Sequence, residues 1–298
     1  MTAFLFPGQG SQQSGAVRLF RDSCEEAYAL GVCAGRVLPP KVLGVILEGR
    51  PEDISHTTYA QPALVCTEIM AAALLKSLGV FPSVAAGHSL GEISALVTTA
   101  ALEFETALIL VQERARLMSE NIPEGGMAAV IGLPADEIEH LLPETVQVAN
   151  LNGPAQTIIS GSREGLAVAA EKLRTAGAKR ILPLAVSGPF HSRYMEPAAV
   201  SLAQFLENVP ISLPSIPFLS SVSGEFETDP GRIRSLLAEQ LYRPVRWNAV
   251  METLAGKTAL EVGPGTVLQG LAKRMPGGPL VLAASTPEKC REFAVSME

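Results

Sequence analysis

The stretch AAGHSLGE at residues 85–92 places a serine between two glycines, after a short apolar segment and before a helix-like segment. Gly-x-Ser-x-Gly on a strand-to-helix turn is the pattern of a nucleophile elbow. Such a turn is so tight that side chains at 87 and 91 would collide with neighbouring backbone, and it lifts the serine hydroxyl clear of the sheet. Serine is also a favoured helix N-cap. The pattern therefore predicts that Ser89 both opens a helix and carries a nucleophilic hydroxyl.

Strand-like and helix-like segments alternate on both sides of this turn, which predicts an α/β protein. Glycines, prolines and changes of hydrophobic period set the boundaries of these segments. The predicted strands of the larger part are 3–6, 84–87, 217–222 and 258–262. The predicted helices are 61–78, the helix from Ser89, 104–121, 193–208, 230–241, 245–255 and 263–275.

Residues 124–187 follow a different order of elements. Strands are predicted at 127–133, 145–151, 156–162 and 179–186, with helices at 134–142 and 164–177. This β-α-β-β-α-β order is the ferredoxin-like arrangement. We therefore predict a small subdomain at 124–187, inserted into a larger domain made of 1–123 and 188–298.

Composition narrows the class of protein. The 298 residues are 47% hydrophobic and 18% charged, which favours a sizeable buried core. A net charge of −7 argues against general nucleic-acid binding. No run approaches the length of a membrane span, and the N-terminus lacks the positive region of a signal peptide. The four cysteines show neither CxxC spacing nor histidine clustering, so we expect no disulfide framework, no metal site and a cytoplasmic location.

A serine nucleophile needs a general base, and the chain has four histidines. His56 lies in a polar loop, His140 lies on a subdomain helix, and His88 belongs to the turn itself. His191, in SGPFHS, falls where the chain returns from the subdomain, and such junctions line clefts. A lone histidine is more often structural, and no Asp or Glu stands out as a third partner, so the residues alone leave the base open.

Arg114 is an arginine on an apolar helix stripe. Its neighbours at three- and four-residue spacing are Leu110, Val111, Leu117 and Met118. A guanidinium that faces the interior needs an anion, and no carboxylate on this helix is placed to pair with it. Two interpretations remain. Arg114 either forms a salt bridge with a carboxylate elsewhere in the fold, or binds a substrate carboxylate through two parallel hydrogen bonds.

FPGQGSQ at 6–12 is a glycine-rich loop after the first strand. It matches neither GxGxxG nor GxxxxGK[ST], so a nucleotide site is poorly supported. Gly8 and Gly10 would instead let the backbone at Gln9 approach the turn and donate an amide to an oxyanion.

Several motifs in this order resemble one family, the malonyl-CoA:acyl-carrier-protein transacylases and the acyltransferase domains of polyketide synthases. The matching stretches are FPGQGSQ (6–12), YAQPAL (59–64), GHSLGE (87–92), QERARLM (112–118), GMAAVIG (126–132), ANLNGPAQTIISG (149–161), PFHS (189–192), RPVRW (243–247) and EVGPG (261–265). The family fold is an α/β-hydrolase-like large domain with an inserted ferredoxin-like small subdomain, which agrees with the pattern of segments.

The resemblance implies roles for individual residues. Ser89 would be the nucleophile, His191 the base, and the amides of Gln9 and Leu90 the oxyanion hole. Arg114 would bind the free carboxylate of malonyl. The remaining implied site residues are Phe190 and His88 on the substrate side and Arg246, whose main-chain carbonyl would orient the imidazole.

The implied reaction moves malonyl from malonyl-CoA to the phosphopantetheine thiol of an acidic acyl carrier protein through a malonyl-serine intermediate. Malonyl-CoA is then a substrate, with no permanently bound cofactor, no nucleic-acid or membrane partner, and a monomer expected. Two rival functions stay open: a thioester hydrolase that edits stalled carriers, and a non-catalytic carrier-binding module. The choice between a fatty-acid and a polyketide pathway also stays open.

Overall fold

The computed structural model of the chain describes residues 2–120 and 122–296. Within these residues the strands form two separate sheets, one of six and one of four strands. The strands are β1 (Thr2–Phe6), β2 (Val84–Gly87), β3 (Gly126–Ile131), β4 (Val146–Gly153), β5 (Gln156–Gly161), β6 (Arg180–Pro183), β7 (Phe218–Leu219), β8 (Phe226–Glu227), β9 (Thr258–Val262) and β10 (Leu280–Ala284).

Helices surround the six-stranded sheet and cover one side of the four-stranded sheet. They are α1 (Ala16–Arg21), α2 (Glu25–Val37), α3 (Pro40–Glu48), α4 (Pro51–Ile54), α5 (Thr57–Ser77), α6 (Gly91–Thr98), α7 (Phe104–Leu117), α8 (Ala135–Leu141), α9 (Arg163–Thr175), α10 (Glu196–Leu206), α11 (Pro230–Glu239), α12 (Trp247–Thr253), α13 (Val267–Ala272) and α14 (Pro287–Val295).

The large sheet brings the two glycine-containing loops together. Its order is β10-β9-β1-β2-β7-β8, and every pair is parallel except the edge pair β7–β8. In the β1–β2 register Phe6 lies opposite Gly87, so both strands end at the same place. The carboxyl edge of a parallel sheet is where α/β proteins bind ligands. The loop after Phe6 and the turn after Gly87 therefore leave the sheet side by side.

The small sheet is antiparallel, with the order β4-β5-β3-β6. Taken with α8 and α9, this is the ferredoxin-like order, and a separate apolar cluster that includes Val130, Ile159 and Leu173 fills its core. The predicted fold class, an α/β-hydrolase-like domain with an inserted ferredoxin-like subdomain, is confirmed. The boundaries at 123/124 and 187/188 stay a prediction.

Several elements differ from the sequence prediction. No helix was predicted over α1–α4, and β8, β10 and α14 were also missed. Helices α2 and α3 are amphipathic, so their signal was present in the sequence, whereas β8 and β10 are the two edge strands of the large sheet. The helix predicted at 104–121 ends at Leu117, and Asn121 lies outside the described residues.

The helix α5 corrects the expectation about membrane-length runs. Its 21 residues are long and apolar enough to cross a bilayer by length and composition, so that expectation is wrong. However, 83% of its apolar window is buried inside the fold, where it contributes many side chains to the main hydrophobic core. Burial of this kind is typical of the central helix of a large α/β domain.

Candidate active site

The turn after β2 has the geometry of a nucleophile elbow. Ser89 has a φ of 53°, a left-handed conformation that strains any non-glycine residue. A Cβ built on Gly87 would collide with the backbone of Gly91, and one built on Gly91 would collide with the carbonyl oxygen of Phe6. Both glycines are therefore required for the turn to pack against β1, and the turn holds the serine side chain out of the sheet.

The hydroxyl of Ser89 does not cap the following helix, which corrects the predicted double role. Helix α6 begins at Gly91, its N-cap position is Leu90, and no side chain caps it. The Oγ atom lies 2.9 Å from Nε2 of His191 instead. A hydroxyl bonded to an imidazole in this way is positioned to lose its proton to that nitrogen.

His191 is fixed by main-chain groups on both sides. It too has a left-handed φ, of 56°, and its amide donates to the carbonyl of Leu241 at 2.9 Å. Its Nδ1 lies 3.2 Å from the carbonyl oxygen of Arg243. Since a carbonyl can only accept, the proton is on Nδ1 and Nε2 is free to act as the base.

The predicted orienting carbonyl, that of Arg246, is the wrong one. The carbonyl of Arg246 accepts from the amide of Ala249 at 3.1 Å, because Arg246 is the N-cap residue of α12. Arg243 lies just before Pro244 in the bend that follows α11, and there its carbonyl oxygen reaches the histidine. A main-chain carbonyl does contact the histidine, as predicted, but it belongs to Arg243 rather than to Arg246.

The imidazole of His191 is held in its neutral form. Burial, followed by the positive charge of Arg114, lowers the pKa of His191 to about 3. In the free protein Nε2 of this neutral ring therefore accepts a hydrogen bond from the hydroxyl of Ser89.

Arg114 is only 2% exposed and makes no ion pair within the described residues. Four of its five N–H groups are hydrogen-bonded: Nε and Nη2 to Gln240 Oε1 at 3.0 and 2.8 Å, Nη1 to Gln61 Oε1 at 2.9 Å, and Nη2 to Ser89 Oγ at 3.3 Å. The tertiary salt bridge left open by the sequence is not what holds it. These hydrogen-bond partners are neutral, so within the described residues no carboxylate contacts the guanidinium beside Ser89.

Glu92, one turn after the nucleophile, is also buried. Its Oε1 accepts from the hydroxyl of Ser220 at 2.8 Å and the amide of Ser221 at 2.6 Å, and its Oε2 accepts from Nε2 of Gln240 at 2.7 Å. Burial raises the pKa of Glu92 to about 7, although these donors act in the opposite direction. The carboxylate is thus tied to Arg114 through an amide rather than by direct contact.

Two backbone amides lie at the places where an oxyanion hole is expected. One belongs to Leu90, directly after the nucleophile, and the other to Gln9 in the loop after β1. Within residues 2–120 and 122–296 neither amide donates a hydrogen bond to the protein. A Cβ on Gly8 would lie 2.8 Å from the carbonyl oxygen of His88, so glycine there lets the loop approach the elbow.

His88 and Phe190 line the same cleft as Ser89 and His191. The Nε2 of His88 lies 3.0 Å from Oδ1 of Asn152, and its ring packs against Trp247 with centroids 5.3 Å apart. Burial lowers the pKa of His88, so its ring is neutral. Phe190 is 4% exposed and lines the cleft. Their roles toward substrate stay predictions.

The cleft itself lies between the two sheets and measures about 250 Å³. Its lining combines the polar groups already described with an apolar wall, to which Met118, Met127, Ile158, Leu184, Val186, Leu268 and Leu271 belong. A larger groove of about 480 Å³, between the α1 region and the start of α14, contains none of the catalytic side chains. In the described ranges no group of three His, Cys, Asp or Glu side chains is arranged to hold a metal ion.

Sequence reasoning missed four residues that support this site: Gln61, Glu92, Gln240 and Arg243. The first two lie inside the quoted motifs YAQPAL and GHSLGE, and a buried polar residue on an otherwise apolar helix was a usable signal. Gln240 ends α11 and carries no local signal, because its importance arises only from the approach of α11 to α7.

A serine on a strained strand-to-helix turn, hydrogen-bonded to a neutral histidine in a cleft that Gln9 and Leu90 also line, defines an enzyme that moves acyl groups through a serine ester. The family comparison specifies this class. The acyl transferase domain family matches residues 3–274, and the chain belongs to that family.

Individual relatives cover nearly the whole chain. A Bacillus subtilis protein named malonyl CoA-acyl carrier protein transacylase is 41% identical over 297 residues, covering 96% of this chain and 94% of the relative. An Escherichia coli protein of the same name is 38% identical, covering 92% of each chain.

Solved structures agree. An acyl carrier protein S-malonyltransferase from Vibrio cholerae superposes with a TM-score of 0.93 at 35% identity, covering 98% of this chain and 99% of that chain. The holo PlMCAT:AntF complex, a type II PKS acyl-carrier protein with its malonyl-transacylase, also gives 0.93 at 35% identity, with 100% and 99% covered.

Proposed function

We propose that the protein transfers a malonyl group from malonyl-CoA to the phosphopantetheine thiol of an acyl carrier protein through a malonyl ester of Ser89. The observation that carries the proposal is Arg114. It is a buried guanidinium whose Nη2 lies 3.3 Å from Ser89 Oγ and whose protein partners there are all neutral. A substrate with a free carboxylate close to its thioester supplies the missing anion.

In the first half-reaction the substrate carboxylate binds the cleft side of Arg114. It takes the Nη2–H now directed at Ser89 and the one Nη1–H that has no partner within the described residues, which gives a two-pronged contact. Ser89 Oγ then attacks the thioester carbon and His191 Nε2 takes the hydroxyl proton. The amides of Gln9 and Leu90 stabilise the oxyanion, and the thiolate of CoA leaves with the proton from His191.

Substrate binding would also adjust the base. Arg114 is the second cause, after burial, of the low pKa of His191. A carboxylate on Arg114 offsets that charge, so His191 becomes a stronger base when a malonyl substrate is bound. In the second half-reaction the carrier thiol loses its proton to His191, attacks the ester, and frees Ser89.

An acidic carrier would need basic side chains on the surface of this protein. Six exposed cations, on α9, around the start of β6 and just after α13, make no ion pair within the described ranges: Lys172, Arg174, Lys179, Arg180, Lys273 and Arg274. The named relatives act on acyl carrier proteins, and one solved neighbour is bound to its carrier. We propose that these side chains steer the carrier towards the cleft.

The alternative function is hydrolysis of acyl thioesters on stalled carriers, which the same serine and histidine could perform. Arg114 disfavours it, because a hydrolase of neutral acyl chains gains nothing from a buried guanidinium beside the nucleophile. A non-catalytic carrier-binding module is disfavoured by the intact hydrogen bond between Ser89 and His191.

The experiment is incubation with malonyl-CoA in the presence and absence of holo acyl carrier protein, with products followed by mass spectrometry. We expect malonyl-carrier to form and free malonate to accumulate slowly when the carrier is absent. Rapid malonate release without labelling of the carrier would establish the hydrolase instead.

We also propose a cytoplasmic location and the domain division 1–123 with 188–298 against 124–187. All four cysteines are free thiols, which agrees with a reducing compartment. The division agrees with the separate apolar core of the small sheet.

A further inference from the structure

We propose that Glu92 is a positioning residue for malonyl selectivity, acting on Arg114 through the side-chain amide of Gln240. This inference rests on the proposed function of Arg114 as the carboxylate-binding residue. It concerns a different question, namely what holds the guanidinium in place without neutralising it.

Glu92 and Arg114 together fix the orientation of the Gln240 amide. The ionised carboxylate of Glu92 can only accept, and its Oε2 lies 2.7 Å from Nε2 of Gln240. That contact turns the other end of the amide, Oε1, towards Arg114, where it accepts from Nε at 3.0 Å and from Nη2 at 2.8 Å. A reversed amide would point its N–H groups at a guanidinium that can only donate.

Glu92 is itself fixed from outside the cleft. The hydroxyl of Ser220 and the amide of Ser221 both donate to Oε1, and Glu92 lies on the first turn of α6, directly after the elbow. It is 1% exposed. Three donors directed at its two oxygens hold the carboxylate in a single position. Because Gln240 is one of these donors, the position of its side-chain amide is fixed as well.

The intervening amide also explains why the acid is not placed against Arg114. A direct carboxylate partner would neutralise the guanidinium and compete with the substrate for the same N–H groups. The neutral amide of Gln240 orients the guanidinium of Arg114 but leaves its positive charge available to the ligand. Gln240 thus separates the protein's own anion from the arginine that must bind the substrate's anion.

The test compares malonyl-CoA with acetyl-CoA, because acetyl lacks the carboxylate and does not depend on Arg114. For Glu92→Gln we expect kcat/KM to fall about tenfold more for malonyl-CoA than for acetyl-CoA, mainly through KM, since a misaligned charged hydrogen bond is lost only with the malonyl substrate. Ser94→Ala is the matched control: it lies on the same helix, α6, and its buried hydroxyl makes no hydrogen bond to Glu92 or Gln240 within the described residues, so the ratio between the two substrates should not change.

Further variants keep the test decisive if Glu92→Gln does not fold. Gln240→Met keeps the volume and removes the amide, and it should lower the malonyl-to-acetyl ratio as Glu92→Gln does. The exchange Glu92→Gln with Gln240→Glu restores a bond between the two positions but places the carboxylate on Arg114, so malonyl transfer should fall below that of either single variant.

The outcomes separate this inference from the function on which it rests. If Arg114→Ala leaves the malonyl-to-acetyl ratio unchanged, the carboxylate-binding role itself fails. If Arg114→Ala lowers the ratio but Glu92→Gln and Gln240→Met do not, only the role of Glu92 is overturned. Equal losses with both substrates in the Glu92 variant, or a ratio changed as much by Ser94→Ala, would identify Glu92 as a structural residue of α6.

Discussion

Three glutamates are buried in the large domain, namely Glu68, Glu92 and Glu261, and the surroundings of Glu68 and Glu92 differ sharply. Glu92 receives three hydrogen bonds and is connected through Gln240 to the arginine beside the nucleophile. Glu68, on α5, has no hydrogen-bond partner for either oxygen within the described residues. Burial raises the pKa of both, and for Glu68, which also lies near the charge of Glu261, it is raised well above the usual value.

Because Glu92 and Glu68 are equally buried but differ in their hydrogen bonds, burial of a titratable group does not by itself indicate function. The site region is recognised by the chain of donors and acceptors that runs from Glu92 to His191. The Glu68 region has no such chain: Gly263 approaches its side chain closely, and the hydroxyl of Ser94 nearby is also unpaired. Changes in the first region should therefore cost activity, and a change in the second should improve stability.

The largest expected effect is the loss of the base. His191→Ala leaves Ser89 without a proton acceptor, so the rate of Ser89 acylation by malonyl-CoA should fall about 1,000-fold. Burst-phase formation of the acyl-enzyme, followed by rapid quench, measures this directly. His140→Ala, an exposed histidine on α8, is the control and should acylate at the normal rate. Normal acylation of the His191 variant would remove the histidine from the mechanism.

The second-largest expected effect differs between malonyl-CoA and acetyl-CoA. Arg114→Ala should lower kcat/KM for malonyl-CoA about 100-fold while changing acetyl-CoA far less, because the charged hydrogen bonds to the carboxylate are lost. The control is Arg116→Ala on the same helix, whose exposed guanidinium pairs with Glu113 and Glu120. Equal losses for both substrates in the Arg114 variant would contradict the carboxylate-binding role.

A backbone change tests the framework of the site. Gly91→Ala places a methyl group against the carbonyl of Phe6, so unfolding by urea should require about 2 kcal/mol less than in the wild type. Gly270→Ala on α13 is the matched control, since nothing lies within 4 Å of its added Cβ. That variant should be as stable as the wild type or slightly more stable. An undisturbed Gly91→Ala protein would mean that the elbow packs less tightly against β1.

The smallest effect has the opposite sign. Glu68→Met removes an unpaired buried carboxyl, so the free energy of unfolding should rise by about 1–2 kcal/mol at pH 8. The folded-state pKa of Glu68 lies above the unfolded value, so its penalty appears as pH rises above the unfolded pKa of about 4.5. The advantage of the variant should therefore shrink as pH is lowered towards that value.

Denaturation at several pH values measures this difference, with the exposed Glu171→Met as the control. A Glu68→Met protein that is less stable than the wild type, or a gain in stability that does not depend on pH, would indicate that Glu68 has a hydrogen-bond partner. Glu68 and Glu92 would then not differ in whether their carboxyl groups are hydrogen-bonded.

The sequence predicted local features better than tertiary ones. The turn at Ser89, the loop at Gln9 and the buried Arg114 each carry a local pattern, and all three meet at the edge of the sheet. Gln240 and Arg243 act through positions fixed by the approach of distant segments, which no periodicity encodes. The prediction that the carbonyl of Arg246 orients the histidine was wrong for the same reason. Which carbonyl lies next to His191 depends on where α12 begins.

In the proposed mechanism Ser89 carries a malonyl ester between two thiols. Intact-mass spectrometry of the protein after brief exposure to malonyl-CoA, and again after addition of holo acyl carrier protein, would detect this ester and its transfer. We predict a single malonyl adduct in the wild type, none in Ser89→Ala, and transfer of the adduct to the carrier on mixing. An adduct that persists in Ser89→Ala, or one that is lost only to water when the carrier is added, would contradict the account.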